Sequence, residues 1–168
     1  MTTSQELLDP RAEALRASFR RHASGVAVIT ALDADGLPVG FTATSVTSLG
    51  TNPPLVSFNV ARGSSTWPTI SNTKYVALHT LGVENRELAI KMSQDHTKRF
   101  VETDWSAGAF GLPVLAGVSS VLILEIREVV NIELNAVVVA DVIDGFVGVE
   151  QRPLLYFQRG YVTAAEID

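Results

Sequence analysis

The chain of 168 residues contains no cysteine. Disulfides and thiolate metal sites are therefore excluded. It has three histidines, His22, His79 and His96, too far apart for any two to serve as paired metal ligands on one element. No metal is expected. Charged residues make up only 18%, with a net charge of -5. A general nucleic-acid binder needs surplus Lys and Arg to neutralise phosphates, so that class is excluded. A small anion is not, since a few local donors can outweigh a distant net charge. No apolar run reaches the roughly 18 residues that a membrane helix requires. The first residues, "MTTSQELLDPRAEALR", lack the apolar h-region of a secretory leader, and cytoplasmic residence is the expectation. There is no G-x-S-x-G, no P-loop and no G-x-G-x-x-G, so the nucleophile elbow and two common phosphate cradles are missing.

What is present is a hydrophobic content of 46%, enough for one folded domain with one core. "DPRAEALRASFRRHASG" reads as a helix over about 10–23. Asp9 is its cap, Pro10 stands at the first position, and Gly25 provides the stop. Leu15 and Phe19 share a face that needs a partner, either the domain's own sheet or another subunit. Val26 to Ala31 and Leu37 to Thr42 read as a hairpin around "DADG". "LVSFNV" alternates, with Val56, Phe58 and Val60 toward a core and Leu55, Ser57 and Asn59 on the other face. "KYVALHTL", "SSVLILEIREVVNIE", "NAVVVADVIDGFVG" and "PLLYFQRGYV" supply further strand regions. "GSSTWPTISNT" opens a short helix, and "ENRELAIKMSQ" forms another with Asn85 as a cap. "DHTKRFVETDWSAGAFGLPVLAG" is a long segment of the kind that often carries function. Six or seven strands with three helices imply a mainly β fold, a barrel with peripheral helices over about 25–163. The whole chain, 1–168, reads as one domain.

The densest chemical signal is "GFTATSVTSLGTNPPLVSFNVARGSST", residues 40–66, with ten hydroxyl side chains. Strand propensity accounts for the threonines and helix capping for Ser64, Ser65 and Thr66. Taken together, the two clusters lie at opposite ends of one strand and offer donors for a phosphate. Arg99 is the leading cation beside them, Lys98 its neighbour. Trp105 and Phe110 are candidates to cover a flat ring, although aromatics are more often core. His79 reads as a hydrogen-bonded core histidine and His22 as a residue facing solvent or a helix dipole.

The order of these pieces resembles the short-chain flavin reductase family, whose members have a flavin-binding split β-barrel. The resemblance runs from about Phe19 to Val162. It is carried by "FRRHASGVAVITA", the 40–66 stretch, "KYVALHTL", "ENRELAIKMS", "KRF", "GLPVLAG" and "RPLLYFQRGY". It implies a homodimer holding FMN or FAD, hydride transfer from NAD(P)H, and a partner monooxygenase fed by reduced flavin. It places Thr44, Ser45, Val46, Thr47 and Ser48 along the flavin ring and ribityl chain, with Ser57 and Asn59 beside them. Ser64, Ser65 and Thr66 would hold the phosphate, and Arg99 and Phe100 would stand near phosphate and ring. One departure matters. Where many relatives carry G-D-H, with the histidine near nicotinamide, this chain has Glu133, Leu134 and Asn135. Asn135 can hydrogen-bond but carries no positive charge. The alternative expectation is thus a flavin-binding protein without NAD(P)H reductase activity.

Overall fold

A computed structural model describes residues 9–167. The ends of the expected 1–168 domain, and part of the segment on which the leader reading rests, lie outside the described residues. Helix α1, Pro10–Arg20, starts where Asp9 accepts the Arg11 N–H at 3.0 Å. It stops three residues earlier than the sequence suggests, because the N–H groups of Arg21 and His22 turn back onto the Ser18 and Phe19 carbonyls. The strands that follow are β1 Ser24–Gly25, β2 Ala27–Leu32, β3 Pro38–Ala43, β4 Thr47–Thr51 and β5 Pro54–Ala61. Helix α2, Trp67–Ile70, is a single turn. Next come β6 Tyr75–Thr80 and α3 Arg86–Ser93, then a small ribbon of β7 Trp105–Ala107 and β8 Pro113–Leu115. Two long strands, β9 Ser120–Ile132 and β10 Asn135–Val147, precede a final hairpin, β11 Leu155–Phe157 and β12 Gly160–Val162. "PLLYFQRGYV" is therefore two strands rather than one.

Seven strands form one antiparallel sheet in the order β3-β2-β6-β9-β10-β5-β4. Its two edge strands, β3 and β4, are consecutive in the chain, and only Thr44, Ser45 and Val46 separate them. Four residue steps reach at most about 14 Å. The opposite edges of the sheet must therefore come together, and the sheet curls into a barrel with an unpaired seam at residues 44–46.

β2 is buried on both faces because it separates two apolar clusters. Ile29 and Ala31 pack with Phe58, Leu78 and Val138 inside the barrel. Val28 packs on the other side with Ala77, Met92 and Leu115, under α3 and β8. Full burial of a side chain such as Phe58 contributes about 2–3 kcal/mol. His79 lies in this second layer. Its Nδ1–H donates to the Val28 carbonyl at 3.1 Å, and its Nε2 accepts the Leu115 N–H at 3.2 Å. Burial pushes its pKa down to about 4 against the opposing pull of the Val28 hydrogen bond. Among the described residues no helix is long and apolar enough to cross a membrane.

Candidate functional site

The seam opens into a groove made of three connected spaces. The first, about 480 Å³, lies between the end of α1, at Phe19 and His22, and the 44–47 linker. The second, about 310 Å³, shares Thr44, Ser45 and Asn59 with the first and runs on to Ser64, Thr66 and Arg99. The third, about 40 Å³, is a neck beneath Arg99 and Phe100 that also touches Ser65 and Thr66.

Local chain geometry explains why these residues meet. The β4–β5 ladder begins at Thr47 opposite Ser57, so Asn59 lies beyond its end. The Asn59 N–H donates instead to the Ser45 hydroxyl at 2.9 Å. That bond ties the seam linker to β5 and leaves the Ser45 O–H able to donate elsewhere. Past β5 the chain turns sharply, and Ser64 Oγ and Thr66 Oγ1 lie 3.3 Å apart. Thr66 is buried yet makes no capping bond to α2. The expectation of a helix start acting through its dipole needs correction. One turn has little macrodipole, and the donors here are local groups. Among the described residues the backbone N–H groups of Ser65 and Thr66 meet no protein acceptor.

Arg99 stands across from this turn. Its Nε and one terminal nitrogen donate to the Gln94 carbonyl at 3.0 and 2.8 Å, and the other terminal nitrogen donates to the Gly40 carbonyl at 2.8 Å. These acceptors are neutral. No carboxylate among the described residues pairs with it. Partial burial pulls its pKa below the ordinary 12.5, and the charge of Asp95 pulls the other way. The guanidinium remains charged, fixed in direction and short of an anion.

Of the residues singled out in the sequence, Thr44, Ser45, Val46, Thr47, Asn59, Ser64, Ser65, Thr66, Arg99 and Phe100 line the groove. Ser48 and Ser57 do not. Ser48 is exposed on edge strand β4 opposite Val56, and Ser57 sits within the ladder between Thr47 and Val139. Asn135 does not line the groove either. It is exposed at the start of β10 and pairs with Ala61, a wall residue of the second space. Trp105 meets the edge of Phe100, with centroids 6.2 Å apart, and Phe110 stacks on Tyr75 at 3.8 Å, so neither covers the groove. Phe19 and His22 were missed as wall residues. Nothing local signals them, because their place depends on how the sheet closes.

Residues 19–165 match the flavin reductase like domain. The chain belongs to the flavin reductase-like family. A flavin reductase domain protein from Arthrobacter sp. FB24 superposes with a TM-score of 0.90 at 43% identity, over 94% of this chain and 98% of that one. An NADH:FMN oxidoreductase of Rhodococcus erythropolis is 37% identical over 74% of this chain and 65% of its own length. The reductase subunit HsaB of a flavin-dependent monooxygenase from Rhodococcus jostii is 29% identical over 97% of this chain and 82% of its own. The chain thus spans about two thirds of the Rhodococcus erythropolis relative. In this flavin reductase-like chain the seam groove is the one place where open donors, a fixed cation and a slot for a planar ring occur together.

Proposed function

We propose that this protein is an NAD(P)H-dependent flavin reductase that holds FMN or FAD in the seam groove and supplies reduced flavin to a monooxygenase. The observation that carries the reading is Arg99, a held cation with no carboxylate, facing the open N–H groups and hydroxyls of Ser64–Thr66. A flavin phosphate fits that donor set, since charged hydrogen bonds to a fixed guanidinium are the strong ones. Val46 and Phe19 offer apolar walls to a ring, and the 44–47 linker offers backbone groups to its polar edge. When bound, flavin supplies the hydride-accepting centre.

The chain's own part is placement. Arg99 and the Ser64–Thr66 turn fix the phosphate, and the linker orients the ring against incoming nicotinamide. Backbone donors near the pyrimidine edge stabilise charge there as an oxyanion hole would. No side-chain acid, base or nucleophile is needed. A second copy of the chain would cover Leu15 and Phe19, which are 60% and 65% exposed on a helix that buries none of its residues. This supports a homodimer, working in the cytoplasm where NAD(P)H is supplied.

One observation favours a second reading. Asn135 stands outside the groove lining and is neutral, so a protein that binds flavin without oxidising NAD(P)H would have the same phosphate end. The test is loss of NADH absorbance with purified protein plus FMN or FAD, beside a flavin-quenching titration. Oxidation well above the flavin-only control is expected. Tight flavin binding with no oxidation would reject the reductase and leave the second reading.

A further inference from the structure

The groove does not end at Arg99. The neck shares Val39, Ser65 and His96 with a chamber of about 730 Å³, larger than any space in the groove itself. FMN stops at its phosphate and would leave this chamber unfilled. FAD continues from the same phosphate through a second phosphate to ribose and adenine. We infer that the chamber is the subsite for the adenosine half of FAD, a step that rests on the flavin reading above.

The chemistry of the walls supports an uncharged nucleoside. Leu32, Ala34, Val39 and Pro68 offer apolar surface to the faces of a base. The Asn72 amide nitrogen is spent on the Pro68 carbonyl at 2.8 Å and the Ser71 hydroxyl at 3.1 Å, which leaves its oxygen to accept from an exocyclic amine. Asp33 is tied to its turn by the N–H groups of Asp35 and Leu37, both at 2.9 Å. Asp35 carries no such bond and offers its carboxylate to ribose hydroxyls. Lys74 is neutralised by Glu125 at 3.0 Å. The chamber therefore has no surplus of positive charge for a third phosphate. The cation and ring N–H that suit a diphosphate, Arg99 and His96, are at the neck. An adenosine diphosphate group also occurs in pyridine nucleotides. Continuity with the phosphate end of the groove assigns it here to flavin.

The test compares FAD and FMN by quenching titration of the purified protein. FAD should bind tighter by about tenfold, the effect of one or two added hydrogen bonds. Saturating adenosine should erase that advantage and leave FMN unaffected. Ala34→Trp, an exposed turn position on the chamber wall, should lower the ratio of FAD to FMN affinity, and Asp35→Asn gives the same readout if the tryptophan variant fails to fold. Equal affinities that respond to neither adenosine nor these variants overturn the subsite while keeping the flavin site. Quenching by neither flavin overturns both. Adenosine that inhibits NADH oxidation with FMN as acceptor, yet leaves the FAD titration unchanged, gives the chamber to pyridine nucleotide and overturns the assignment to FAD.

Discussion

At one end of the seam groove Arg99 stands on the barrel's own packing, whereas at the other Phe19 and His22 hang from a helix that buries nothing. Phe100, next to Arg99, packs on the cluster of Val28, Met92 and Leu115. Gly40 lets it approach, since a Cβ there would meet Phe100 at 3.3 Å and the Ile29 carbonyl at 3.0 Å. The Thr103 hydroxyl donates to the Arg99 carbonyl at 2.7 Å, so the segment is held from below as well. At the ring end, Phe19 has only the edge of His22 as an aromatic neighbour, at 5.5 Å. The phosphate end is thus a product of one chain's core. The ring end takes its final shape from whatever covers α1. Affinity for the tail and geometry at the ring should respond to different changes.

The largest expected effect attacks the core under the phosphate end. His79 locks β8 to β2, and its folded-state pKa of about 4 lies below its ordinary 6.5. Between those values the unfolded chain binds a proton that the folded chain refuses. Stability therefore falls as pH drops from about 6.5 toward 4, by about 3 kcal/mol in all. Denaturant melts across that window check it. His79→Gln should flatten the slope, and a wild-type curve already flat from pH 6.5 to 4.5 would break the claim that His79 is buried neutral. If the phosphate end rests on this core, riboflavin and FMN should both be lost when it melts.

Next in size, Arg99→Ala should weaken FMN binding by about 1–3 kcal/mol, the range for a lost charged hydrogen bond. Riboflavin, which has no phosphate, should bind the variant as it binds the wild type. Unchanged FMN affinity would remove Arg99 from the site. An equal loss for riboflavin would mean that Arg99 acts by holding Gln94 and Gly40 in place, and the contrast between the two ends would blur.

The same contrast separates what the sequence made legible from what it hid. Local chemistry could be read directly: the Asp9–Pro10 start of α1, the alternation of β5, and His79 as a satisfied core residue. The phosphate end was legible because its hydroxyls cluster within a few residues and Arg99 lies in a short basic-aromatic run. The final hairpin was missed because Gln158 and Arg159 adopt φ of 49° and 63°, a tight turn usually signalled by Gly or Asn. Phe19 and His22 stayed hidden for a different reason. They reach the 44–47 linker only after β3 and β4 converge at the seam, and closure of a sheet leaves no local motif. The chamber beyond the neck was invisible for the same reason, since its walls come from the β2–β3 turn, the α2 region and His96.

The smallest change to binding is expected at Asn135, and it probes the ring end. Asn135 and Ala61 are opposed in the ladder, while their neighbours Ala136 and Val60 are both buried. By the two-residue period of strands, the Asn135 and Ala61 side chains share the outer face, one strand from the groove. The position is held in place, because the Arg62 side chain donates to the Glu133 carbonyl at 2.8 Å and the Arg62 N–H to the Leu134 carbonyl at 2.9 Å. A histidine there would bring a ring N–H, and when protonated a charge, to the rim of the second space without touching the phosphate donors. Asn135→His should therefore raise NADH turnover while leaving FMN affinity within about twofold, as expected for an exposed substitution away from the ligand's anchors. A variant that loses FMN affinity would show that the rim and the phosphate end are coupled. One that leaves turnover unmoved would place the limit on hydride transfer elsewhere at the ring end, with Phe19 and His22 as the next residues to change.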